Sequence, residues 1–140
     1  MRKNFLLILS LIFFQTAVFA AVKHNNEMTL DFTLNYQNHG SIAEHVMKNT
    51  IHVAGDKWQM AGKFVGSKND EVIILMVKLI KRTTSKFTFQ YMVIDSDNKG
   101  TYVSEPIVKT MAGLPTQTVV SESGRTITLN SLVNLSPKQA

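Results

Sequence analysis

Four histidines are the residues best suited to chemistry in this chain, and their spacing argues against a shared metal site. His24, His39, His45 and His52 include no pair at i and i+2 or at i and i+4. Those are the separations that set two imidazoles on one face of a strand or a helix. His45 and His52 lie seven apart, so an uninterrupted strand sends them to opposite sides, and the four read as scattered surface residues. Glu44-His45 is not followed by the second histidine that an H-E-x-x-H helix needs. With no cysteine in the chain there is neither a thiolate nucleophile nor a cysteine zinc set. No G-x-S-x-G elbow and no glycine-rich phosphate cradle occurs. Asp95 and Asp97 flank a turn and Glu105 reads as a strand residue; carboxylates near turns are normally solvated or cap the backbone, and they make a poor glycosidase pair. The sequence therefore points away from an enzyme and implies no cofactor and no metal.

Charge and greasiness offer more. Lys78, Lys81, Arg82 and Lys86 gather at one end of a hairpin, where they can meet an anionic envelope component or an acidic protein, or simply keep the strands soluble. The formal net charge is +5, and it falls to +3 when Arg2 and Lys3 are discounted. A balance that mild suits contact with anionic head groups and falls short of a nucleic-acid-binding composition.

Arg2 and Lys3 are discounted because the first twenty residues read as a secretory signal peptide. A short positive start, an apolar run from Phe5 to Phe14 and the small-residue end Val18-Phe19-Ala20 follow that order. The run is shorter than the roughly 20 residues of a comfortable membrane span, and nothing later resembles a second span. A cut after Ala20 is expected. A cut after Ala21 would start the chain Val22-Lys23-His24, able to wrap Cu(II) or Ni(II) in a square of nitrogens, but it sets bulky Phe19 at −3. Twenty residues removed from 140 leave 120, enough for one domain with a core that needs no covalent staple. An exported domain without cysteine suits a bacterial envelope, so the expected location is periplasmic or secreted.

The remaining chain alternates with β-type residues. Met28, Leu30, Phe32, Leu34 and Tyr36 sit at every second position with polar residues between, the pattern of a strand with one oily side. Ser41 to Glu44 has capping-box spacing, but a strand from about His45 to Val53 is the preferred reading. Trp58 to Val65 follows as a strand despite Gly62, then Val72 to Ile80, Phe87 to Ile94, Thr101 to Thr110, Pro115 to Ser121 and Arg125 to Leu135. The joints at Ala112-Gly113 and Ser123-Gly124 suit hairpins, Pro106 marks an edge or bulged strand, and Ser136 to Ala140 read as a frayed tail. The expected fold is all-β: an antiparallel sandwich, or partly open barrel, of seven or eight strands in one domain over residues 21–135.

One register follows from the turn centred on Thr84, which pairs residues whose numbers sum to 168. Leu75, Val77 and Leu79 then face Val93, Tyr91 and Phe89 on the core side. The opposite side receives Ile74 beside Ile94 and Met76 beside Met92. A two-layer sandwich leaves that second apolar patch wet unless another segment, a partner or a second copy covers it.

Residues 105–124 carry Pro106, Thr110 and Gly113 in a strand–turn–strand segment that resembles the hairpin pattern of bacterial secretins and of small exported Gram-negative β proteins; Gln117 and Thr118 stand where a small alanine belongs. The resemblance covers about twenty residues, implies a Gram-negative envelope setting and transfers no functional residue. The expected function is that of a non-enzymatic envelope binding protein. It would act through an exposed strand edge, the patch of Ile74, Met76, Met92 and Ile94, or the basic tip. The alternative is a small-ligand carrier with a cavity lined by Phe32, Phe87, Phe89 and Tyr91.

Overall fold

The computed structural model describes residues 26–40, 44–53, 55–66 and 70–137. The expected signal peptide, its expected cleavage site and His24 lie outside these residues. Nine strands run in chain order: β1 Asn26–Asn38, β2 Glu44–His52, β3 Gln59–Val65, β4 Val72–Arg82, β5 Lys86–Asp97, β6 Gly100–Ser104, β7 Ile107–Met111, β8 Thr116–Glu122 and β9 Arg125–Pro137. They form two antiparallel sheets, one ordered β2-β1-β9-β8, the other β3-β4-β5-β6 with β7 also on β5. The architecture is the expected β-sandwich, not a closed barrel.

Strict alternation builds the core. Leu30, Phe32, Leu34 and Tyr36 of β1 and Ile127, Leu129 and Val133 of β9 point inward from the four-stranded sheet. Ile73, Leu75, Val77, Phe87, Phe89, Tyr91, Val93 and Val108 meet them from the other. Each such side chain contributes about 1.5–3 kcal/mol when fully buried, enough in sum for a chain without disulfides. The β4–β5 hairpin has the expected register, with Leu75 opposite Val93, Val77 opposite Tyr91, Met76 opposite Met92 and Ile74 opposite Ile94. A bulge at Ile80 then shifts the pairing by one, so that Lys81 faces Thr88 and Arg82 faces Phe87.

Three expectations need correction. The single strand over 101–110 is two, because Glu105 and Pro106 interrupt it and both pieces pair with β5. Proline has no N–H for the ladder, but the Pro106 carbonyl accepts from the Tyr91 N–H at 2.9 Å. Ala112-Gly113 does not close a hairpin: β7 belongs to one sheet and β8 to the other, so this joint is a corner between layers. The Gly113 N–H donates to the Val133 carbonyl at 2.8 Å, and Thr116 donates to the buried Thr110 hydroxyl at 2.8 Å. Residues 105–124 therefore span both sheets. Ser136 and Pro137 are not tail residues, since they pair with Glu27 and Asn26. The Ser123-Gly124 joint is a true two-residue hairpin; both residues have positive φ, 49° and 70°, as a type I′ turn requires.

Gly62 has a packing reason. A bulge falls between Met60 and Gly62, and a Cβ on Gly62 would lie 2.1 Å from the Met47 sulfur. The missing side chain lets β2 close against β3, where Asn49 Nδ2 donates to the Ala61 carbonyl at 3.2 Å.

Candidate functional site

The outer face of the five-stranded sheet is the molecule's least ordinary surface. Cross-strand pairs share a face, so Met60, Met76 and Met92 form a row across β3, β4 and β5. Beside it run Ile74, Ile94 and Val103 on β4, β5 and β6. Ile107 of β7, opposite Gln90, continues the apolar surface. Met60, Val103 and Ile107 are 53%, 49% and 55% exposed, while the four residues singled out by register are half-buried among neighbours. All nine strands lie in the two layers, so no third layer of described strands covers this face.

Lysines edge it. Lys63 pairs with Ile74, Lys81 and Lys109 flank Thr88, and Lys86 stands opposite Met111. Lys78 extends its ammonium over Trp58, 4.6 Å from the ring centroid. Arg82 separates from this group, because the bulge at Ile80 turns it to the core side. There its guanidinium lies 5.4 Å from the Phe87 ring. Its Nε is buried without a hydrogen-bond partner, and burial draws its pKa down. Nearness along the sequence groups Arg82 with the lysines at the hairpin end; a one-residue bulge carries no clear signature in this sequence.

A second cluster closes one end of the sandwich. Tyr36 of β1 donates its hydroxyl to the Asp95 carboxylate of β5, and Arg125 Nε donates to the Tyr36 oxygen at 2.9 Å while lying 3.6 Å from Asp95 Oδ2. The Arg125 guanidinium sits 4.2 Å from the Tyr102 ring, and Tyr102 donates to Glu122 Oε1 at 2.6 Å. Burial, reinforced by Asp95, pushes the Tyr36 hydroxyl well above its ordinary pKa. Burial and then Glu122 raise Tyr102. The bonds from Tyr102 and Ser104 hold the Glu122 carboxyl below its usual value. Tyrosines so raised stay protonated and act as donors, which makes the cluster a clasp between the sheets.

Asp95 is thus buried and paired, not the solvated turn residue expected; Asp97 does cap its turn, accepting from the Lys99 and Gly100 N–H groups. The signal for Asp95 was its parity, because it follows Tyr91 and Val93 on the inward side of β5. Arg125 likewise leads the inward series of β9. Glu105 lies in the break between β6 and β7, not on a strand.

The histidines divide. His39 Nε2 lies 2.8 Å from Thr126 Oγ1 and His52 is exposed, whereas His45 is no scattered surface residue. Its Nε2 is 3.0 Å from Glu71 Oε1 and its ring centroid 4.4 Å from that of Phe64. Among the described residues no group of three His, Asp or Glu is placed to hold a metal. Phe32, Phe87, Phe89 and Tyr91 are core residues with 2% exposure or less, and along β5 the rings of Phe87, Phe89 and Tyr91 follow one another at 6.4–6.5 Å. All four belong to the buried core cluster between the sheets.

Compared with family models, with curated proteins and with solved structures, the chain matches none.

Proposed function

We propose that this chain is an exported, non-enzymatic binding protein of a bacterial envelope, and that it works through the outer face of its five-stranded sheet. One observation carries the reading: the row Met60, Met76, Met92 and its aliphatic neighbours lie on the outside of a layer whose other side is already the core. Contiguous exposed apolar surface costs solubility, and where a fold keeps it, contact with another molecule is the usual reason. Methionine suits such a surface, because its flexible thioether adapts to varied shapes. The leader-like N-terminus and the absence of cysteine support the envelope setting.

Because the chain has no cysteine, a single introduced thiol reports on one position. Val103→Cys and Ile107→Cys are expected to react readily with a membrane-permeant maleimide in the purified protein and to be protected in intact cells. Gln117→Cys, exposed on the other sheet, should react in both. Equal reactivity of all three thiols in cells would remove the proposed working surface.

A further inference from the structure

The charge of the same face names its occupant. The charged residues placed there by register are Lys63, Lys81, Lys86 and Lys109, with Lys78 against Trp58, and Glu105, in the break between β6 and β7, is counted against them. Five ammonium groups against one carboxylate give this face more positive charge than residues 21–140 carry in sum, since discounting Arg2 and Lys3 from +5 leaves +3. The rest of the domain is therefore close to neutral, and the asymmetry belongs to one side of one sheet.

A second copy stacked on this face would bring like charge against like charge. An ordinary apolar protein surface would leave the lysines unanswered. An anionic lipid bilayer answers both features, offering phosphate to the ammonium groups and an acyl boundary to the methionines, isoleucines and Trp58. Lysine stems reach past apolar neighbours while their heads stay in the phosphate layer. Resting on the working surface proposed above, we infer that the face docks on the surface of an anionic phospholipid membrane, with Lys78, Lys81, Lys86 and Lys109 as the phosphate contacts and Met60, Met76 and Ile107 as the shallow apolar contacts.

The test is co-sedimentation with vesicles, using protein recovered from the envelope of the expressing cells so that every variant carries the same N-terminus. Binding is expected to equimolar phosphatidylglycerol–phosphatidylcholine vesicles, to weaken as salt screens the charges, and to be far weaker on phosphatidylcholine alone. Each lysine near an anionic surface contributes about fivefold, so Lys81→Gln with Lys109→Gln should lower binding about twenty-fivefold at unchanged thermal stability. Met60→Ser with Ile107→Ser, both at exposed positions, should lower it without changing the salt dependence.

Equal binding to neutral vesicles, or indifference to the lysine pair, overturns the membrane assignment. So does a concentration-dependent dimer with no vesicle binding, which makes a second copy the occupant. If vesicles fail to bind while the Val103 and Ile107 thiols remain protected in cells, only the lipid is wrong. If that protection is also absent, the working surface itself falls.

Discussion

The two sheets share one core and differ in what they wear outside. On the four-stranded sheet Val46, Val119 and Leu132 also point out, singly, and the other outward positions are polar, several of them bonded to one another. Asp31 accepts from Thr50 at 2.5 Å and from Asn134 at 2.8 Å, Gln117 donates to Asn130 at 3.0 Å, and Asn35 donates to Glu44. On the five-stranded sheet the middle of the equivalent face holds contiguous thioethers and branched aliphatics, edged by lysines, with no described strand layered above them. Both sheets obey the same period of two, so alternation alone does not explain the contrast. Residue choice on the outer parity does, and it gathers the apolar surface on the outside of the five-stranded sheet.

The largest test contrasts neighbours on β4. Leu75 is fully buried and Met76, one residue on, points out from the same strand. Leu75→Ala should cost about 3 kcal/mol or more, the transfer term plus the cavity left behind. Met76→Ala should cost less than about 1 kcal/mol, because in the isolated protein its methyl end has no core to leave. Chemical denaturation of both variants measures the difference. Equal losses would mean that Met76 is already packed within the fold, and the apolar face would lose its meaning.

Much of this was legible beforehand. The β4–β5 register over Val72 to Leu79 matches the sum of 168, although the bulge at Ile80 moves the pairs next to the turn to a sum of 169. The patch of Ile74, Met76, Met92 and Ile94 followed with it. Its extension to Met60, Val103 and Ile107 was not legible, since sheet order is a tertiary fact that no local pattern encodes. The corner at Gly113 and the hairpin at Gly124 look alike in sequence, yet one changes sheet and the other does not. The clasp was half legible: Asp95 and Arg125 occupy inward parity, but their partner Tyr36 passes for an ordinary core aromatic.

A second test uses the interior that both sheets share. Tyr91 of β5 lies 2.8 Å from Ser131 Oγ of β9, across the core, and burial pushes its hydroxyl from 10.0 up to about 12. The fold therefore holds this proton more tightly than the unfolded chain does. Stability from that preference is fully present below pH 10 and is lost as pH rises through the folded value. About 2 kcal/mol is expected to disappear by pH 12 from this residue alone, and Tyr36, raised in the same direction, deepens the loss. Thermal unfolding followed from pH 9 to 12 should fall steeply for the wild type and less steeply for Tyr91→Phe. A flat profile would deny that the interior excludes water at Tyr91.

The smallest test probes the polar face. Asp31 sits between β2 and β9 and accepts from both, so its carboxylate joins three strands of the four-stranded sheet. These bonds are partly exposed, and water can replace what they lose, so Asp31→Ala should cost only about 1 kcal/mol. Asp31→Asn keeps an acceptor oxygen for one neighbour and should recover part of that. The informative comparison is with thiol reactivity at Val103→Cys in the same background. If the polar face is self-sufficient, loosening its ladder leaves the apolar face's protection in cells unchanged. If protection falls with it, the two outer faces are coupled through the core, and the division between a polar and an apolar side gives way to a single surface that closes around its partner.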